Sequence, residues 1–210
     1  MNYRLKNKQQ KIELFLNGDP PYFLKNKIFY HKIFSVDGAF YYLKKLGISI
    51  DYISGDFDSI LKKDFPSKGR IFTTYNQKYT DFDKALNILY KKGFFNINVW
   101  GASGKEQDHF LGNLSTALKY KKKLSIVFHD KYYFYFFSKK KNIFFFSEKN
   151  KKISLFPFPE VNGLKTNGLK YPIHKGILKI GKNIGIRNES TNKKIEINYK
   201  KGELIIFIGK

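Results

Sequence analysis

Apolar positions along the first 120 residues follow two alternating rhythms. Short apolar runs, IELFL at 12–16, KIFSV at 32–36, YIS at 52–54 and FFNINVW at 94–100, read as strands. Between them the period lengthens. Phe40, Leu43 and Leu46 keep helical spacing until Gly47 stops it. In DFDKALNILYKKG, Phe82, Ala85, Leu86 and Leu89 share one face, with acids in the first turn, Lys91 and Lys92 in the last, and Gly93 as the stop. DHFLGNLSTALKY at 108–120 repeats the pattern with Phe110, Leu111, Leu114, Ala117 and Leu118. Alternation of strand and helix predicts an α/β domain built on a parallel sheet over 1–123. Beyond the lysine-rich junction KYKKK at 119–123 the helical period disappears. Short β-rich segments separated by turn residues, ending in IEINY at 195–199 and ELIIFI at 203–208, predict an antiparallel β domain over 124–210.

Charge changes the picture less than its size suggests. The 210 residues carry 40 Lys and Arg against 17 Asp and Glu, a formal charge of +23, which favours phosphates and other polyanions. Yet only Arg4, Arg70 and Arg187 are arginines, and the other abundant residues are Asn, Ile, Phe and Tyr. All of these, like lysine, have A/T-rich codons, so a biased genome produces the same excess without a nucleic-acid partner. The aromatics fall mostly in runs that read as core, and no RNP, KH or helix-turn-helix pattern occurs, so no specific nucleic acid is expected. With no cysteine, disulfides and thiolate sites are excluded. The basic N-terminus precedes only a five-residue apolar stretch, and no run approaches the roughly 18–20 residues of a membrane span, so a soluble cytoplasmic chain is expected.

The scarce carboxylates share one address. Asp37 follows KIFSV, Asp56 and Asp58 follow YIS, Asp81 opens a helix, and Gly101, Gly104 and Asp108 follow FFNINVW. In open α/β sheets the loops at the carboxyl ends of the strands form the ligand crevice, so five acids are expected at one edge. Such crowding calls for a cation, and Mg²⁺ takes one or two carboxylates together with substrate phosphates. GASGK at 101–105 adds glycines where backbone comes close to phosphate, ahead of a helix N-terminus, and Lys105 or Lys84 supplies a point charge. It is not a Walker A loop, and the DxD lacks the other ligands of an EF-hand. Taken singly, each acid is equally an Asx turn or a helix cap; their coincidence at strand ends is what points to a metal-bound polyphosphate.

The set SVDGAFYYL, SGDFDSI, YTDFDKAL and GASGKEQDHFLGNLSTAL resembles thiamine pyrophosphokinases, and SLFPF, TNGLKYPI and NES extend the likeness over nearly the whole chain. The resemblance implies a Rossmann-like three-layer domain that carries the nucleotide, a β-sandwich domain that binds thiamine, and a homodimer with thiamine bound between the subunits. It implies that Asp56, Asp58, Asp81 and Asp108 hold Mg²⁺ and the ATP phosphates, with Asp37 and Gly38 lining the same cleft. Asn188, Glu189 and Tyr171 become candidates for contacting thiamine or shaping its pocket. The implied reaction is in-line attack of the thiamine hydroxyl on the β-phosphorus of ATP, with AMP leaving. Four positions depart from the family pattern: Tyr79 before Thr80-Asp81, Glu106 in place of an arginine, Phe40 after DGA, and Arg187 before Asn188-Glu189. A pyrophosphokinase for another heteroaromatic alcohol such as a pterin shares the acidic site, but the second-domain segments favour thiamine; Glu106 and Arg187 keep open a decayed nucleotide-binding relative.

Overall fold

The computed structural model describes residues 11–21, 31–57 and 70–210, and Asp58 lies outside them. The contacts divide the chain into two compact units that part between Lys131 and Tyr132.

In the first unit the strands are β1 (Lys11–Phe15), β2 (Lys32–Val36), β3 (Tyr52–Gly55), β4 (Arg70–Thr73), β5 (Asn96–Trp100) and β6 (Ser125–His129). They pair in the order β4-β3-β2-β1-β5-β6, and every pair is parallel. Expected strands and observed ones agree within two residues. β4 has no counterpart in the pattern, because this edge strand buries no residue fully and so shows no apolar alternation. The expected junction at 123 also shifts: Ser125–His129 pairs in parallel with Asn96–Trp100, so backbone hydrogen bonding keeps it in the α/β unit.

Among the described residues three helices flank the sheet: α1 (Ala39–Lys45), α2 (Asp81–Lys91) and α3 (Gln107–Tyr120). Residues alternate between the faces of each strand. Phe15, Ile33 and Trp100 therefore meet Ala39 and Leu43 of α1 on one face. On the other, Phe34 stacks on Tyr52 and Phe72, and Phe128 of β6 meets Phe82 of α2. These layers are what the α/β pattern predicts. α2 begins as expected, with Thr80 Oγ1 accepting the Asp83 N–H, and ends at Gly93 with φ +81°. α3 differs at one position. Its buried residues are Leu114, Thr116, Ala117 and Tyr120, whereas Leu111, expected in the apolar stripe, is 60% exposed.

The second unit is antiparallel throughout. Its strands are β7 (Tyr133–Phe137), β8 (Lys141–Phe145), β9 (Lys152–Asn167), β10 (Gly176–Lys179), β11 (Gly185–Glu189), β12 (Lys194–Asn198) and β13 (Lys201–Gly209). The 16-residue β9 organises it, pairing with β13, β10 and β11 and, at its far end, with β12, which pairs with β8. Inward residues of both layers, among them Phe144, Ile153, Leu155, Leu164, Ile195, Ile197, Leu204 and Ile206, form one core, the arrangement of a β-sandwich. Each such side chain contributes about 1.5–3 kcal/mol on burial.

Candidate functional site

The strand order reverses direction at β1, with β2–β4 on one side and β5–β6 on the other. At such a switch point the loops after the central strands diverge and leave a crevice. A cleft of about 410 Å³ opens there, lined by Asn17 and Pro20 after β1, Asp37, Gly38, Tyr41 and Tyr42 after β2, and Lys105 after β5.

Local chemistry builds each wall. The loop after β1 zips onto the one after β5: the N–H groups of Leu16, Gly18 and Asp19 donate to the carbonyls of Trp100, Gly101 and Ser103 at 2.9, 2.8 and 2.9 Å. This close approach accounts for two glycines. Gly101 has φ +66°, and a Cβ there would lie 2.4 Å from the Leu16 carbonyl oxygen; Gly104 has φ +84°, and a Cβ there would lie 2.1 Å from the Asp19 carboxyl. Lys105, the next residue, is also left-handed at φ +55°, and its Nζ donates to Asn17 Oδ1 at 3.0 Å. On the opposite wall Asp37 turns the chain out of β2 at φ +40°, a conformation aspartate tolerates, its N–H donating to Ser54 and its carbonyl accepting from Phe40. Tyr42 donates its hydroxyl to the Leu16 carbonyl at 2.9 Å, and burial pushes its phenol well above the ordinary tyrosine range, so it remains a donor.

The remaining acids sit at the same edge with other partners. Asp56 follows β3, half-buried. Asp81 holds Lys84 Nζ at 2.7 Å, and Lys84, only 10% exposed, also donates to the Thr74 carbonyl at 3.1 Å. Lys84 therefore ties the β4–α2 loop to the first turn of α2. Asp108 is exposed in the first turn of α3, where its Oδ1 accepts the His109 N–H at 2.9 Å. Among the described residues no three acids or histidines stand together as metal ligands.

In the second unit Asn188 is buried and its amide serves the backbone. Oδ1 accepts from the N–H groups of Tyr171 and Glu189 at 3.1 and 2.8 Å, and Nδ2 donates to the Tyr171 carbonyl at 2.8 Å. Tyr171 itself is 65% exposed, and Glu189 stands 4.0 Å from Lys170 Nζ. None of the four departing residues lines the cleft. Phe40 fills the core beside Ile53, Tyr79 is an exposed ring under Lys119, and the Glu106 and Arg187 side chains face solvent.

Of the residues the motifs single out, Asp37, Gly38 and Lys105 line one cleft. The motifs pass over Asn17, Asp19, Tyr41 and Tyr42. A signal was present: LNGDPP at 16–21 is a turn sequence directly after a strand, at the same edge as the acids.

Two family models match in sequence. Residues 27–128 fit the thiamin pyrophosphokinase catalytic domain, and residues 141–204 fit the thiamin pyrophosphokinase vitamin B1 binding domain. The chain belongs to the thiamine pyrophosphokinase family. Its function is the family's, diphosphate transfer from ATP to thiamine. A thiamine pyrophosphokinase from Bacillus subtilis is 29% identical over 160 residues, spanning 72% of this chain and 75% of that protein. The crystal structure of thiamine pyrophosphokinase from Bacillus subtilis superposes with a TM-score of 0.83 at 25% identity, covering 96% of this chain and 99% of the other. The yeast thiamin pyrophosphokinase structure shares the fold, with a TM-score of 0.83 at 16% identity over 98% of this chain and 87% of its own. The matched boundary between the two family models brackets the break between the compact units.

Proposed function

We propose that thiamine pyrophosphokinase chemistry in this chain runs at the carboxyl edge of the parallel sheet, with the ATP phosphates in the cleft between the loops after β1, β2 and β5. The observation that carries this reading is the meeting of Asp37, Gly38 and Lys105 from separate motifs around one cavity at the switch point. Asp56, Asp58, Asp81 and Asp108 are the candidate holders of Mg²⁺ and phosphate. The donor set suits that ion: the acids offer only carboxylate oxygen, and Mg²⁺ needs one or two of them, the rest coming from phosphate and water. When bound, Mg²⁺ would neutralise phosphate charge. The chain's own contribution is positioning. Gly101 and Gly104 let the two loops close on each other, Lys105 places one positive charge at the cleft, and Lys84 fixes Asp81.

For thiamine we assign the Tyr171 segment. Asn188 acts there by fixing the Tyr171 backbone, leaving the exposed Tyr171 ring and Glu189 to face a substrate. We further propose a homodimer working in the cytoplasm, in keeping with the absence of cysteine. Purified protein incubated with ATP, Mg²⁺ and thiamine is expected to yield AMP and thiamine diphosphate in equal amounts by chromatography. Asp56→Asn or Asp58→Asn is expected to abolish both products while leaving the circular dichroism spectrum unchanged. Product formation undiminished in these variants refutes the assignment of the acids.

A further inference from the structure

Lys105 is an unexpected residue where it stands. Its φ of +55° follows Gly104 at +84°, and a left-handed backbone suits glycine, asparagine or aspartate far better than a long side chain. Nothing about the turn asks for lysine. What the position does provide is an ammonium at the cleft, and Asn17 Oδ1 holds it there at 3.0 Å.

Asn17 in turn depends on Gly38. A Cβ on Gly38 would lie 2.4 Å from Asn17 Nδ2 and 2.7 Å from its Cγ, inside any real contact. Gly38 has φ −55°, which every residue adopts, so its backbone has no need of glycine. The requirement is space for the Asn17 amide. Three loops, after β1, β2 and β5, are thus coupled in series: Gly38 makes room, Asn17 occupies it, and the Asn17 carbonyl oxygen holds Lys105.

We propose that Asn17 is a positioning residue for Lys105, and that the Gly38–Asn17–Lys105 relay presents one preorganised cation to the phosphate chain of the nucleotide. The inference rests on the reading of the cleft as the nucleotide site. A lysine side chain has many rotamers to lose on binding an anion, and one already tethered loses fewer. Asn17 is well suited to the task, since its carbonyl oxygen orients the ammonium without cancelling its charge as a carboxylate would.

The test is calorimetric titration of the full-length wild type and of Asn17→Ala, Gly38→Ala and Lys105→Gly, with ATP and Mg²⁺ but no thiamine. Tripolyphosphate and adenosine serve as separate titrants. Each variant is expected to bind ATP and tripolyphosphate about fivefold to thirtyfold more weakly, the loss of one charge-assisted contact. Adenosine, which has no phosphate, is expected to be unaffected. The double variant Asn17→Ala/Lys105→Gly should bind no more weakly than Lys105→Gly alone, because both act through one cation. Lys105→Gly should melt no lower than wild type, since glycine suits the left-handed position, which separates lost binding from lost folding. Unchanged ATP affinity in Asn17→Ala or Gly38→Ala, additive losses in the double variant, or equal losses for adenosine would each overturn the relay. The AMP and thiamine diphosphate assay on the wild type judges the proposed function independently, because the titrations require no turnover.

Discussion

Glu13 illustrates how far single residues depend on partners distant in sequence. It lies in the middle of β1, where the IELFL run predicts an apolar stripe, yet its carboxylate is buried at 4% exposure. Among the described residues three groups satisfy it. Trp100 Nε1 donates at 2.6 Å, Asn98 Nδ2 at 2.9 Å, and His31 Nδ1 lies at 3.1 Å. The register places Asn98 directly opposite Glu13, so the two meet because the strands pair. His129 extends the cluster, stacking on Trp100 with ring centres 4.4 Å apart. Removing such an acceptor leaves buried donors unpaired. Glu13→Ala is expected to lower stability by about 2–4 kcal/mol, read as a shift of the urea midpoint at unchanged slope, with Glu13→Gln losing less. An unmoved midpoint in Glu13→Ala would contradict this account.

Between elements, a few polar contacts fix how neighbours pack. Asp83 of α2 binds Lys119 Nζ at 2.6 Å and the Tyr120 hydroxyl at 2.9 Å, both on α3, while its N–H is capped by Thr80. Burial, followed by the hydrogen bond to Asp83, raises the Tyr120 phenol well above its usual range, so this donor persists through the physiological range. Asp83→Ala is expected to cost about 1–3 kcal/mol in thermal or urea unfolding, since the Tyr120 hydroxyl is left without its carboxylate. Its ATP affinity should match wild type. In the second unit Glu160 of β9 is hydrogen-bonded by Asn162 and Lys179, and these bonds lower its carboxyl below the usual range. A depressed folded value means the stabilisation is present above the ordinary glutamate range and is lost as pH falls through the folded one. Glu160→Gln is therefore expected to lower stability slightly at neutral pH and to match wild type at acid pH, which flattens the acid limb of a stability-versus-pH curve; an acid limb identical to wild type would show that the pair contributes nothing.

For the molecule as a whole, the charge of +23 is an electrostatic property distinct from the site. Lys92 and Lys123 lie over the rings of Phe72 and Tyr90 at 4.8 and 5.4 Å, contacts that leave their charge in place. The net positive charge should give diffuse attraction to any polyanion. The protein is expected to bind heparin at low salt and to elute well before 1 M, as the screening length falls from about 10 Å at 0.1 M to about 3 Å. Retention that resists salt would instead reveal a specific polyanion site.

The chain's own sequence determined a good deal. Hydrophobic periodicity placed α1, α2 and α3 and the strands β1, β2, β3 and β5, because residues that face a core must repeat with the geometry of their element. Turn residues and acids after those strands marked the edge where the cleft lies. Tertiary structure decided the rest. β4 owes its existence to pairing with β3 and buries too little to leave a pattern. β6 joined the parallel sheet through hydrogen bonds to β5, which no local signal distinguishes from a strand of the following sandwich. Asn17 acquired its partners only when loops 21 and 88 residues apart in sequence from it closed around it, at Gly38 and Lys105. Periodicity reports which way a residue faces; it carries no information about which distant group it meets, and that meeting is what makes the cleft.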